Sequence, residues 1–417
     1  MENFDWEFYI NEYKDLRDAG ILTKEKAFWH WRTYGCKENR LNMEIDIEKS
    51  QSSLSDINMT IDLKDKKLPY EINIVISSTQ YPGYGGAATN AYELIKYFRK
   101  LGFNVCGVFF DDSKPFDINV DYDPDQLGGI FMYNFRNYDK DTLYTDAISY
   151  LKGTPDICFA KNYIAPYLCK EIFDCYTVYL VSGINHFCFP KFSKTTCQDI
   201  LKNKVIFDMD LSCEIKCNTL VDLIVLNSNI SLNIFNKIYP KFKNKIYPNP
   251  IDTSSILSRY DVTKEYDIII CCSRLTRIDK NNMFLIDILK NNIFDKYTKI
   301  FIGNNYSEFE DIPNSKCLGL LKHSECLKYL SKTKLLLFPS TFDANPNTVR
   351  EAYSYGCVPL ISNNVGHYEK YPEELVCRSF DNDEWSTKIL YILENYDSIK
   401  NLKINFPNNK DDLLKLF

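Results

Sequence analysis

Residues 338–366 read FPSTFDANPNTVREAYSYGCVPLISNNVG, and this stretch decides the fold. It carries two carboxylates, Asp343 and Glu351, with seven residues between them. Asn345 is a good helix N-cap, and Pro346 suits the first helical position. Val349, Ala352, Tyr353 and Gly356 then recur at i, i+3, i+4 and i+7, which makes one buried helix face. Gly356 ends the helix, and CVPLIS follows as a short buried strand. Asp343 therefore falls in the loop before the helix, and Glu351 about one and a half turns inside it. The N–H groups of Asn347 and Thr348 lack intrahelical partners and lie at the positive end of the dipole. Such amides suit phosphate oxygens, and the flanking carboxylates suit hydroxyls. A capped helix and a surface glutamate on an ordinary αβ unit give the same carboxylate spacing.

Outward from this segment, apolar strands alternate with helices. INIVISS is a buried strand. Ala87 to Leu101 is a helix with Ala91, Leu94, Ile95 and Phe98 on one face and Gly102 as its stop. NVCGVFF, DICFA, TVYLVSG and DLIVLNS continue a first series of strands. DIIICCS, KIFIGN, LLLFPS and VPLIS make a second. Alternation of this kind implies parallel sheets and an α/β class. The two series join near YPNPIDTSS, so the expected architecture is two Rossmann-like domains facing a cleft, over residues 71–252 and 253–417. Residues 1–42 read as a separate helical module. In it Phe4, Trp6, Tyr9, Tyr13 and Leu16 face Ala27, Phe28, Trp31 and Tyr34, and His30 is a packed histidine. Residues 43–70 are a polar linker.

The chain has 417 residues, enough for two sizeable domains. Its net charge of −6 argues against non-specific nucleic-acid binding. No apolar run approaches the ~18 residues of a membrane span, and the start is too acidic and polar for a secretory leader. A cytoplasmic protein is expected, in the host cytoplasm if the source is viral. The 15 cysteines are odd in number and scattered. They read as reduced, mostly buried thiols, with Cys271 and Cys272 inside a strand. Cys213 and Cys217 lack a second pair at zinc spacing.

Two further constellations carry chemistry. Pro82, Gly83, Gly85 and Gly86 lie between the first strand and its helix, where bare backbone lets a phosphate or sugar approach. A dinucleotide fingerprint is the rival, because Gly83-x-Gly85-x-x-Ala88 fits it and Asp111 or Asp112 can hold a ribose. Against it, Thr79, Gln80, Tyr81 and Pro82 separate the strand from the first glycine. The second constellation is CCSRLTRIDKN, which follows a strand and opens a helix. Its Arg274 and Lys280 are cations at a strand-to-helix turn, able to neutralise a bound anion, or can be solvated surface cations. Asp208-Met-Asp210 is a short acidic motif of a kind common by chance, and no metal site is expected.

The 338–366 segment resembles the C-terminal signature of retaining GT-B glycosyltransferases of family 4. That signature has Pro-Ser, Glu-x7-Glu, Glu-Ala, a Gly-Cys turn and a strand ending near a Gly. Asp343 stands for the first Glu, and Val358-Pro359 for the commoner Pro-Val. The resemblance covers roughly residues 72–395. It implies a GT-B fold and metal-independent sugar transfer, with retention, from a nucleotide-diphosphate sugar to an acceptor hydroxyl of a glycan, protein or lipid. The sugar nucleotide is then substrate, and no cofactor is implied. Arg274, Lys280 and Asp343 are the implied catalytic residues. Gly85, Gly86, Leu320, Asn345, Asn347, Thr348 and Glu351 complete the implied donor site, with Leu320 in the loop that meets the base and Glu351 on the ribose. Departures are Pro250 in the NPID segment, where the family has Gly, and Ser182, where it often has His. His186 lies four residues on. His323 and His367 read as surface residues, although His367 follows the Gly366 loop and could face the donor. Residues 1–42 are similar to a module of some bacterial and large-virus glycosyltransferases and are expected to dock on the chain itself, a second copy or a partner protein. Two other classes remain: an NAD-dependent oxidoreductase using the Gly83 loop, and a non-catalytic sugar-binding or scaffold protein.

Overall fold

A computed structural model describes residues 6–12, 14–30, 68–81, 86–111, 128–134, 138–184, 212–254, 260 and 262–417. Two parallel six-stranded sheets dominate it. The first is built from β1 (Asn73–Thr79), β2 (Asn104–Asp111), β3 (Ile130–Asn134), β4 (Ile157–Lys161), β5 (Tyr176–Val181) and β6 (Leu223–Leu226). Their order is β3-β2-β1-β4-β5-β6. The second holds β7 (Tyr266–Arg274), β8 (Lys299–Asn304), β9 (Ser315–Cys317), β10 (Thr333–Phe338), β11 (Val358–Ser362) and β12 (Val376–Cys377). Its order is β12-β11-β10-β7-β8-β9. Parallel sheets bury both faces, so their strands read as near-continuous apolar runs. β4, β6 and β11 are buried at every position.

Helices cover the faces. Gly86–Lys100 buries Ala88, Ala91, Leu94, Ile95 and Phe98 against the first sheet. It stops one residue before the expected end, and Gly102 follows at φ 89°. The Asn347–Ser354 helix buries Val349 and Ala352 against the second core. Gly356 follows it at φ 68°, and the Cys357 amide donates back to the Ala352 carbonyl. That glycine stop is the expected one. The helix start is not. Pro346, in extended backbone, is the cap residue, and no side chain caps the helix. Asn345 is drawn elsewhere, as described below.

Residues 410–417 leave the second sheet and return to the first. Leu413 and Leu416 are fully buried in the core beneath Gly86–Lys100. The Phe417 ring lies 5.3 Å from Phe103 and 6.1 Å from both Phe98 and Phe159. The Tyr97 hydroxyl donates to Asp411 at 2.5 Å.

In the N-terminal module the described helices are Trp6–Glu12, Lys14–Asp18 and Lys24–His30. Leu16 and Ala27 are buried, with Trp6, Ile10 and Ile21 packed on them. Phe4, Tyr13, Trp31, Tyr34 and the side chains of Tyr9 and Phe28 lie outside the described residues. No described helix is long and apolar enough to cross a membrane.

Candidate active site

In open α/β sheets, ligands bind beyond the carboxyl ends of the strands. Here the carboxyl ends of both sheets face a common cleft containing two cavities. The larger, about 680 Å³, is lined by Gln80 after β1, Ser273 and Arg274 at the end of β7, Thr276, Arg277, Ile278, Asp279, Asn304 at the end of β8, Asn305 just after it, and Leu320. The smaller, about 120 Å³, lies between Asn162, Ser182, Gly183 and Ile184 of the first unit and Arg277, Asp279, Lys280, Phe342, Asp343 and Ala344 of the second.

Lys280 and Asp343 form an ion pair on the wall of the smaller cavity, with side chains 15% and 14% exposed. The Lys280 ammonium also lies 5.2 Å from the centre of the Phe338 ring. Backbone bonds on both sides hold Asp343: its amide donates to the Asn364 carbonyl, and its carbonyl accepts from the Gly366 amide at 2.7 Å. Gly366 is required there, because a Cβ would stand 1.8 Å from the Ala344 carbonyl oxygen. The glycine that closes the 338–366 segment thus lets the loop seat Asp343. Arg274 lines only the larger cavity of the two, and its side chain is exposed. Leu320, 61% exposed, lies there too.

The starts of two helices meet across the cleft. The Asn347 side-chain amide donates to the Asn90 side chain at 3.1 Å and to the Gly86 carbonyl at 3.5 Å. The first residue of Asn347–Ser354 therefore lies beside the start of Gly86–Lys100. Gly85, Gly83, His186, Asp208 and Asp210 lie outside the described residues. Glu351 sits one turn into its helix and meets the His323 imidazole at 2.9 Å. His323 is on the surface as expected, 54% exposed at its side chain. Cys271 is buried in β7, and its thiol is pushed well above the usual range, first by a hydrogen bond with Cys326 and then by burial.

The Asn345 side chain, expected at the donor and as the helix cap, is engaged by the segment joining the two units. Its amide donates to Asp252 at 2.7 Å and Ser254 at 3.0 Å, and its oxygen accepts from Arg350 at 3.2 Å. His367 is not a surface residue. It is 5% exposed at φ 63°, with Nε2 3.7 Å from Asp252, and burial lowers its pKa.

Sequence reasoning missed the buried cluster around Asp252. Arg350 pairs with Asp252 at 6% and 1% side-chain exposure, and its guanidinium stacks 4.5 Å from the Phe406 ring centre. Lys161, at the end of β4, is buried and donates to Thr253 at 2.8 Å. Burial pushes the Lys161 ammonium down to about 7, against the opposing pull of Asp252. Asn409 accepts from the Asp252 amide and donates to the Pro250 carbonyl. An arginine on the buried side of a helix was the available signal, because Arg is rarely buried unless paired.

No protein-family model matches the sequence, and no curated protein matches it. Solved structures do match the fold. Sucrose-phosphate synthase from Thermosynechococcus elongatus superposes with a TM-score of 0.56 at 13% identity, over 83% of this chain and 95% of that one. The fold is GT-B. The pneumococcal O-GlcNAc transferase GtfA, solved with UDP and GlcNAc, gives 0.55 at 11% identity over 79% and 94%. A glycosyltransferase from Rickettsia africae gives 0.54 at 14% over 83% and 97%. Within this GT-B frame, the cleft is the groove between the two Rossmann-like units.

Proposed function

We propose that this chain is a glycosyltransferase, moving a sugar from a nucleoside-diphosphate donor to an acceptor hydroxyl with retention and without a metal ion. The observation that carries this reading is the Lys280–Asp343 pair in the cleft, on a loop continuous with the Asn347 helix start. The GT-B fold, and neighbours solved with UDP and GlcNAc or with ADP and acarbose, support it.

In this reading residues 253–417 bind the donor and residues 71–252 the acceptor. The nucleoside occupies the larger cavity near Leu320 and Arg274, with Glu351 on the ribose. The sugar enters the smaller cavity, where Asp343 accepts from its hydroxyls. The acceptor oxygen attacks the anomeric carbon on the face the diphosphate leaves. The bond to the β-phosphate oxygen breaks, and that oxygen takes the acceptor proton. Arg274, Lys280 and the amides of Asn347 and Thr348 offset the charge that develops. The reaction is assigned to the cytoplasm, with residues 1–42 as a docking module and not part of the donor site.

A thermal-shift screen against sugar nucleotides tests the reading, because a ligand at 100 times its Kd stabilises by about 2.7 kcal/mol. Donor hydrolysis by the purified chain separates an enzyme from a sugar-binding scaffold. Stabilisation by NAD alone, with none by sugar nucleotides, would replace the reading with an oxidoreductase.

A further inference from the structure

Among the described residues, Arg277 and Asp279 line both cavities of the cleft. A donor with its nucleoside in one cavity and its sugar in the other must carry its diphosphate past them. We propose that Arg277 is a donor-binding residue whose guanidinium takes phosphate oxygens at this junction, with Asp279 as the anion that occupies it beforehand. The proposal rests on the donor reading above and adds a binding cation to it.

The local geometry fits that role. The Asp279 carboxylate engages the guanidinium fork in a bidentate way, with Nε to Oδ1 at 2.9 Å and Nη2 to Oδ2 at 2.5 Å. A phosphate offers the same fork two oxygens in the same plane. Asp279 is held in place, because its carbonyl accepts from the Thr341 amide at 2.9 Å. Its carboxylate is 10% exposed and lies 3.9 Å from the Lys280 ammonium. The Arg277 side chain is 37% exposed and open to the cleft. Arg274, Arg277 and Lys280 therefore place cations at three-residue intervals along the segment after β7. A buried carboxylate facing two of them keeps those charges oriented while no phosphate is bound.

The test is calorimetric titration of the full chain and its Arg277→Gln and Arg277→Lys variants with UDP, ADP, GDP and the matching monophosphates. Melting curves check the fold. For the diphosphate that the wild type binds best, Arg277→Gln is expected to lose at least ten-fold in affinity, and Arg277→Lys less. Monophosphate affinity is expected to change less than two-fold. Equal losses for mono- and diphosphates, or an unchanged diphosphate affinity in a folded variant, overturn the role of Arg277 and leave the donor reading standing. No nucleotide binding by the wild type overturns both. If Arg277→Gln fails to fold, Asp279→Asn decides: tighter diphosphate binding, through release of the guanidinium, supports the proposal, and unchanged or weaker binding overturns it.

Discussion

Lys280 and Asp343 are 63 residues apart in sequence and form an ion pair in the cleft. One lies after β7 and the other after β10, neighbouring strands in the second sheet. The Thr341 amide, bonded to the Asp279 carbonyl, ties the two loops together next to the pair.

Lys280→Ala is expected to reduce kcat about 100-fold or more at saturating donor. Losing one charge-stabilising donor in a preorganised site costs about 2.7–4 kcal/mol of transition-state stabilisation. Circular dichroism checks the fold, since Asp343 is left unpaired. Wild-type turnover would remove Lys280 from the leaving-group site.

Glu351→Ala is expected to weaken nucleoside-diphosphate binding by about 1.5–3 kcal/mol, the range for hydrogen bonds to a charged group. His323→Ala leaves the carboxylate present but unanchored, so a smaller loss is expected. Calorimetry with the cognate diphosphate measures both. Unchanged affinity in a folded Glu351→Ala protein would end the ribose assignment.

Activity is expected to survive EDTA. Arg274, Lys280 and the helix amides would supply the positive charge at the diphosphate. Activity abolished by chelation and restored by manganese or magnesium would instead point to Asp208 and Asp210.

Arg350→Ala is expected to destabilise the fold by about 3–5 kcal/mol, because it strands the buried Asp252 carboxylate. Urea unfolding measures the change. A loss below 1 kcal/mol would mean that water or another cation replaces the guanidinium.

Lys161 sets a pH dependence. Its folded pKa, about 7, lies below the ordinary lysine value of 10.5. Between those values the unfolded chain binds more protons at this site than the folded one, so this site's contribution to stability rises with pH from about 7 toward 10.5. Below about 7 both forms are protonated, and the full burial cost is present. Lys161→Met removes the titration. The stability of wild type relative to Lys161→Met should therefore increase with pH across that window and be flat below it. Parallel curves from pH 6 to 10 would mean that the ammonium stays charged.

The nine strands read from apolar runs are all present, because parallel strands bury both faces and need such runs. β3, β9 and β12 went unread. Each is a sheet edge, and β3 and β9 have no fully buried residue. β12 has only two residues. In the candidate site, Lys280 and Asp343 were legible because each sits at a fixed offset from a strand end. Asp252, Arg350 and Asn345 were not legible as a group. Their partnership depends on how the joining segment crosses the second unit, and no local pattern encodes that. His367 was misread because a left-handed turn after Gly366 points it inward, and a left-handed residue other than glycine is rare.

Residues 410–417 make the first unit a discontinuous object. Its sheet and helices come from residues 72–252, but Leu413, Leu416 and Phe417 close its hydrophobic core. A fragment cut at the joining segment would lack those side chains and expose the aromatic face of Phe98, Phe103 and Phe159. The second unit would keep an apolar tail with no core beneath it. The two halves are thus poor candidates for separate expression or for exchange with halves of other GT-B proteins. Engineering that respects this architecture would carry residues 410–417 along with the first unit, as part of the same module.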